Sequence, residues 1–248
     1  MEQKVQSIAE KREQSKGMSV LLMGATGLVG RYCLAHLLAS PDVYKVVAPT
    51  RRTINNRDKK LRNVLVDFDN LDEFEELFQV DAIICCLGTT INQAGSRSAF
   101  RKVDFHYALE TAQLGRSNKA KAFYLVSAVG ADPKSPFFYS RVKGQLENKL
   151  RELEYRNLSI YRPSLLIGDR EDRRGAENFL AKIASITNPL LSGRLTKYAA
   201  ISAEQVAKAM VNECTFKKTP AKKKPVVNIY KHDTIVTLAN SPEYLLAE

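Results

Sequence analysis

The chain has 248 residues, of which 44% are hydrophobic and 26% charged, a balance typical of a globular protein. A chain of this length can bury a large core without a disulfide or a structural metal, and its four cysteines lack metal-ligand spacing. Buried free thiols in a reducing compartment are therefore expected. The net charge of +11 is partly concentrated in five lysines within 217–224. Because no aromatic residues interleave with them, a solvated loop is favoured over a nucleic-acid or membrane contact.

The N-terminal residues 1–17 are charged and lack the apolar core of a signal peptide. No apolar run in the chain approaches the ~18 residues that a membrane helix needs. We therefore expect an N-terminal extension over 1–17, a single domain over 18–248 and a cytoplasmic protein without a membrane span.

Apolar runs that resemble strands alternate with helical patterns along the chain. The predicted strands are 19–23, 45–48, 63–66, 81–86, 122–126, 159–162 and 226–229. The predicted helices are 28–39, 71–78, 97–114, 136–154 and 203–212. This alternation predicts a Rossmann-type α/β domain, a doubly wound parallel sheet of about seven strands whose faces are covered by helices. The segment 169–197 breaks the alternation and is predicted to cap the substrate side of the sheet.

Three glycines follow the first predicted strand, where an apolar run becomes an amphipathic one. A glycine-rich turn between a strand and a helix is typical of dinucleotide binding, because backbone N–H groups at the helix N-terminus can hold a pyrophosphate. Gly24 would permit a tight turn, Gly27 a close approach to the phosphates, and Gly30 close packing of the helix. A turn that merely tolerates glycine is the alternative. The predicted binding turn comprises Gly24, Ala25, Thr26, Gly27, Leu28, Val29 and Gly30.

The second predicted strand ends in an arginine pair, Arg51 and Arg52, where an NAD-binding protein usually has a carboxylate for the ribose 2′-hydroxyl. Asp42 lies before that strand, at the wrong end of the sheet. Because guanidinium groups pair well with phosphate, the pair favours NADP or NADPH over NAD. Two solvated loop charges would be the alternative explanation.

A serine, a tyrosine and a lysine follow in an order that suits proton transfer. Ser127 ends the fifth predicted strand, and Tyr139 and Lys143 lie one helical turn apart. The Lys143 ammonium can favour the phenolate of Tyr139 and can bond the nicotinamide ribose, so that Tyr139 can exchange a proton with a substrate oxygen. Ser127 can hold the carbonyl oxygen. Each residue alone is also compatible with a surface pair or a strand cap.

These residues carry a resemblance to the atypical short-chain dehydrogenases/reductases, and more narrowly to the HIV-1 Tat-interactive protein 2 family. The resemblance covers about 18–212. Its stretches are GATGLVGR, VDFDNLDEF, CCLGTT, FRKVDFHYALETA, LVSAVGAD, FYSRVKGQLE and YRPSLLIGDR. It implies NADPH binding and the catalytic residues Ser127, Tyr139 and Lys143, the last two also touching the cofactor.

The resemblance also implies cofactor contacts after three further strands, near the adenine, the ribose and the nicotinamide respectively. These residues are Asp67 and Phe68; Leu87, Gly88 and Thr89; and Arg162, Pro163 and Ser164. Two positions depart from the pattern of many relatives. Asp104 stands where an Asn takes part in a proton relay, and Ser164 stands in place of a Gly.

The sequence thus predicts an NADPH-dependent oxidoreductase that moves hydride to or from a carbonyl or hydroxyl of a small molecule whose identity it does not specify. The alternative is an NADPH-binding regulatory or redox-sensing protein that contacts a protein partner and turns over little substrate. The helices predicted over 97–114 and 136–154 often pair in dimeric relatives, but both carry many charges here. A monomer and a homodimer therefore both remain compatible with the sequence.

Overall fold

Seven parallel strands form the main sheet in the computed structural model, which describes residues 17–167, 200–216 and 224–241. The strands are β1 Met18–Met23, β2 Val43–Thr50, β3 Leu61–Leu65, β4 Ala82–Cys85, β5 Ala122–Val126, β6 Asn157–Tyr161 and β9 Val226–Tyr230. Their order is β3-β2-β1-β4-β5-β6-β9. The predicted Rossmann-type sheet is confirmed. A separate two-stranded parallel ladder, which was not predicted, pairs β7 Leu166–Ile167 with β8 Ile201–Ser202.

Helices connect the strands and cover both faces of the sheet. They are α1 Leu28–Ala39, α2 Ile91–Ala94, α3 Arg97–Arg101, α4 Ala108–Ser117, α5 Phe138–Glu152, α6 Ala203–Thr215 and α7 His232–Asn240. Two predicted helices are irregular. The segment Leu71–Phe78 is a 3₁₀ helix that is kinked at Phe74, and a π turn, Lys102–Tyr107, joins α3 to α4.

The alternation of side chains along β1 divides the core into two layers. Val20 and Leu22 pack with α1, α6 and α7 on one face, whereas Leu21 and Met23 pack on the other face with the 3₁₀ helix, the π turn, α4 and α5. All four side chains are fully buried. This explains why the strand reads as a continuous apolar run: both of its faces are covered.

The strand order reverses between β1 and β4, since the chain first builds outward to β2 and β3 and then crosses to β4. Ligands of open parallel sheets bind at such a switch point, outside the carboxyl ends of the strands. The glycine turn after β1, Leu87–Thr89 after β4, Ser127 after β5 and Arg162 after β6 all lie at this edge.

Several expectations fall outside the described residues. These are the N-terminal extension up to residue 16, the cap over 169–197 and most of the lysine-rich stretch, 217–223. They remain predictions. No helix in the described ranges is long and apolar enough to cross a bilayer.

Candidate active site

The turn between β1 and α1 requires glycine at two positions. Gly24 has a φ of +79°, and a Cβ there would lie 2.8 Å from the carbonyl oxygen of Cys86. A Cβ on Gly30 would lie 1.9 Å from the carbonyl oxygen of Gly24, so no other residue fits without displacing the turn. The turn is therefore held tightly against both the helix and the neighbouring strand β4.

The backbone at the start of α1 is open to a ligand. Gly27 is the N-cap of α1 and makes no side-chain cap bond, while its own N–H donates to the carbonyl of Gly24 over 2.9 Å. Thr26 and Gly27 are exposed, whereas Ala25 and Val29 are buried and hold the turn to the core. The first N–H groups of a helix lack intrahelical partners, and the helix dipole favours an anion there. The arrangement fits a pyrophosphate.

Arg51 and Arg52 directly follow β2, and both are exposed. Neither guanidinium makes an ion pair with another residue in the described part of the chain. The loop backbone is ordered by neighbouring contacts, since the Thr50 hydroxyl donates to the carbonyl of Arg52 over 2.8 Å and the Asn63 amide donates to that hydroxyl over 2.7 Å. Two available cations next to the glycine turn fit an additional phosphate.

The residues expected near the adenine lie after β3. Phe68 is buried, and its ring lies 5.5 Å from that of Tyr107, measured between ring centroids. Asp67 is exposed, and its carboxylate accepts bonds from the Asp69 backbone and the Asn70 side chain. Phe68 thus packs in the core at this position, whereas the hydrogen bonds of Asp67 order the turn beside it.

Helix α5 carries Tyr139 and Lys143 on one face at the carboxyl edge of the sheet. The Tyr139 ring packs 5.6 Å from the ring of Phe100, between centroids. The Lys143 ammonium is buried and forms an ion pair with Asp104, with 2.7 Å between Nζ and Oδ1. The other oxygen of Asp104 accepts the backbone N–H of Thr89 over 2.8 Å. Lys143 is therefore connected through Asp104 to the loop after β4.

The electrostatics around Tyr139 differ from the sequence-based expectation. Although 38% of the residue is exposed, the surrounding protein keeps enough water from the phenol to raise its pKa, and this burial is the largest effect. Lys143 lowers the pKa, as expected, but the carboxylate of Asp104 raises it again. The net result is a pKa above the ordinary value, so the Tyr139 phenol is protonated at neutral pH.

Ser127 is bound to a buried carboxylate that sequence reasoning missed. Its hydroxyl donates to Glu147 over 2.6 Å, and the same carboxylate receives two N–H groups from Arg162, the one from Nε at 2.9 Å. A hydroxyl has a single proton to donate. As long as that proton points to Glu147, Ser127 offers a ligand only its lone pairs. Its predicted role in holding a carbonyl stays a prediction.

The remaining predicted residues lie between β6 and the neighbouring loops. Pro163 is buried, and its carbonyl accepts the N–H of Val129 over 2.8 Å. The Ser164 hydroxyl lies 3.5 Å from Nδ1 of His232. The side chain of Arg162 points to Glu147, so this residue organises the edge of the site. Glu147 had one signal in the sequence, since it lies four residues after Lys143 and continues the same helix face.

Comparison with known proteins identifies the family. The model described as the NAD dependent epimerase/dehydratase family matches residues 20–229. The chain belongs to this family. Protein HTATIP2 of Rattus norvegicus is 37% identical over 199 residues, which cover 78% of this chain and 80% of that protein. The resemblance to the HIV-1 Tat-interactive protein 2 family is thereby confirmed.

A second group of relatives comes from fungi. Protein FMP52, mitochondrial, of Candida albicans is 30% identical over 230 residues, covering 90% of this chain and 99% of that protein. Among solved structures, the oxidoreductase ylbE of Lactococcus lactis has a TM-score of 0.65 at 19% identity and covers 93% of this chain and 98% of its own. MoeE5 in complex with UDP-glucose and NAD has a TM-score of 0.64 at 14% identity, covering 92% and 82%. The structural matches show the fold, and the family supports an oxidoreductase-type protein that binds a nicotinamide dinucleotide.

Proposed function

We propose that the protein is an NADPH-dependent oxidoreductase that reduces a carbonyl of a small molecule, or oxidises the corresponding hydroxyl. The proposal rests on one observation. Tyr139, Lys143 and the glycine turn lie at the same edge of the sheet, and an exposed arginine pair lies beside them. A bound NADPH would supply the hydride that is added to the carbonyl carbon in reduction. The substrate oxygen receives its proton from Tyr139, and the products are the alcohol and NADP.

Each residue has a role that its surroundings support. The N–H groups at the start of α1 bind the pyrophosphate, and Arg51 and Arg52 bind the 2′-phosphate. Lys143 forms an ion pair with Asp104, and its three N–H donors can serve ribose hydroxyls. Tyr139 is neutral at neutral pH and can therefore donate its proton to the substrate oxygen.

Cofactor choice is tested by titrating the purified protein with NADPH and with NADH and following nicotinamide fluorescence. We expect NADPH to bind more tightly. The double variant Arg51→Ala/Arg52→Ala should lose most of this preference and leave NADH affinity nearly unchanged. Arg57→Ala is the matched control, because Arg57 is an exposed arginine of the same loop. Equal affinities for both cofactors in the unaltered protein would refute the choice of NADPH.

Catalysis is tested with Tyr139→Phe in a screen of carbonyl compounds. The variant should lose turnover but keep its affinity for NADPH, since the ring and its packing against Phe100 remain. Tyr44→Phe, near the amino end of β2 and thus at the opposite edge of the sheet, is the control. Undiminished turnover in Tyr139→Phe would refute the assignment. Binding of NADPH without turnover of any carbonyl would instead favour the regulatory alternative.

A further inference from the structure

The π turn Lys102–Tyr107 points one acidic side chain into the site. Asp104 is fully buried within this turn. π turns inside helices often mark functional sites, because the extra residue changes which side chains face inward. Here the extra residue brings a charge into the core next to the catalytic lysine.

Asp104 joins three parts of the site. One carboxylate oxygen lies 2.7 Å from the Lys143 ammonium, on α5, and the other accepts the N–H of Thr89 over 2.8 Å, in the loop after β4. Gly88 leaves the space above this pair open, since a Cβ there would lie 3.5 Å from Oδ1 of Asp104 and 3.8 Å from Nζ of Lys143. The ion pair therefore lies under the loop to which we assign the ribose.

Asp104 also supplies the negative charge that faces Lys143. Burial by itself lowers the pKa of Lys143 and is the largest effect on it. The groups that oppose it are Asp104 on the π turn, Tyr139 on α5 and Cys85 on β4. Burial raises the pKa of Tyr139 and that of Cys85, the latter to about 12, so both are neutral near pH 7. Among the described groups that face Lys143, Asp104 is thus the one that forms an ion pair with the ammonium.

We propose that Asp104 is a positioning residue that keeps Lys143 protonated and holds its ammonium beneath the ribose-side loop 87–89. The part that concerns ribose rests on the proposed function, whereas the charge pairing does not. The competing explanation is that Asp104 only anchors the loop through Thr89. The proposal and the competing explanation predict different outcomes for the proton of Lys143 when the Asp104 carboxylate is replaced by a neutral group.

The test is the variant Asp104→Asn in protein without cofactor. Its amide oxygen can still accept the Thr89 N–H, but its NH₂ group then faces the ammonium, so the charge pairing is lost while the loop anchor is kept. Ionisation of Lys143 is followed by NMR of lysine labelled with ¹³C at Cε, with the resonance assigned through Lys143→Arg. We expect Lys143 to titrate at lower pH in Asp104→Asn than in the unaltered protein.

Asp69→Asn is the matched control. Asp69 pairs with Lys102 at 2.6 Å and with the Tyr107 hydroxyl at 2.6 Å, so it repeats the Asp, Lys and Tyr arrangement on an exposed surface. This variant should leave the Lys143 titration unchanged. An identical titration of Lys143 in Asp104→Asn and in the unaltered protein would overturn the proposal.

Two further measurements keep the test decisive. If Asp104→Asn is too unstable to titrate, the double variant Asp104→Asn/Lys143→Met should resist urea better than Asp104→Asn alone, because it buries no unpaired charge. A double variant no more stable than the single one contradicts the pairing.

In binding assays Asp104→Asn should weaken NADPH binding more at about pH 9 than at about pH 6, where a buried lysine regains its proton. No loss at either value would indicate loop anchoring alone, and a loss equal at both values would contradict the role assigned to the Lys143 proton. Absence of NADPH binding in the unaltered protein would refute the proposed function and leave the NMR result intact.

Discussion

Replacing Glu147 by Gln should destabilise the fold more than any other neutralisation of a carboxylate on α5. The Glu147 side chain is 1% exposed, and it accepts one bond from Ser127 and two from Arg162. Gln keeps the shape but replaces one acceptor oxygen by a donor group. One Arg162 N–H then loses its acceptor, and the guanidinium loses its counter-charge.

The magnitude follows from the burial of the two partners. Removing one partner of a buried ion pair costs about 3–5 kcal/mol, but Arg162 keeps 22% of its side chain exposed, so water compensates in part and about 2–3 kcal/mol is expected. For a domain of this size that loss corresponds to a fall in Tm of about 4–12 °C. The double variant Glu147→Gln/Arg162→Gln should recover part of the loss, because the partly buried guanidinium of Arg162 is removed and only the more exposed Arg151 loses its pairing with Glu147.

The assay is urea unfolding followed by circular dichroism, with Glu152→Gln as the control. Glu152 lies on the same helix and forms an ion pair with Lys149 at 2.7 Å, but its side chain is 60% exposed. An exposed pair of this kind contributes about 0.3–0.5 kcal/mol. If Glu147→Gln costs no more than Glu152→Gln, the network around Ser127 does not stabilise the site.

Three further predictions concern the turn, a buried thiol and the compartment. Gly30→Ala should weaken NADPH binding in the fluorescence titration while circular dichroism stays unchanged, because the new Cβ would lie 1.9 Å from the carbonyl oxygen of Gly24; unchanged affinity would contradict this. Burial raises the pKa of Cys85 from 9.0 to about 12, so the contribution of this thiol to stability is constant below pH 9 and falls by ~1.4 kcal/mol per pH unit as pH rises towards 12. Urea midpoints that stay constant over this range would contradict it. The tagged full-length protein should fractionate with the cytosol, whereas recovery with mitochondria, as in the name of the fungal relative, would show the expected compartment to be wrong.

The sheet and the glycine turn were predictable because local pattern determines them. Continuous apolar runs mark strands covered on both faces, and all seven predicted strands occur. Helix α7 was missed for an equally physical reason. Its sequence HDTIVTLAN is rich in β-branched residues of low helix propensity, and it is stabilised by packing Ile235 and Leu238 against the core that contains α6.

The partners of the predicted catalytic residues were less predictable, because they come from distant segments. The spacing of Tyr139 and Lys143 indicated a shared face, but not that Asp104 would reach Lys143. That contact depends on the π turn, whose shift in hydrogen bonding leaves no periodic signal in the sequence. Likewise, the position of Ser127 at a strand end was evident, whereas the direction of its hydroxyl depends on Glu147, twenty residues later.

The charges on α5 suggest the direction in which Tyr139 works. Lys143 is neutralised by Asp104 and Glu147 by Arg162, so neither pair leaves a net charge to favour the phenolate. The pKa of Tyr139 is raised, first by burial and then by Asp104. Tyr139 therefore stays protonated at neutral pH, as the proton donor of a carbonyl reduction must be, and becomes a base only at alkaline pH.

The shift in the pKa of Tyr139 can be measured without a substrate. In protein labelled with ¹³C at the tyrosine Cζ, the resonance that disappears in Tyr139→Phe should titrate above the ordinary value of 10.0. In Asp104→Asn two effects oppose each other at this residue, since losing the carboxylate favours the phenolate while deprotonation of Lys143 disfavours it. The unaltered protein is therefore the decisive sample. Titration of Tyr139 below 10.0 there would mean that Lys143 outweighs burial and Asp104, and the site would then be equally suited to oxidation of an alcohol.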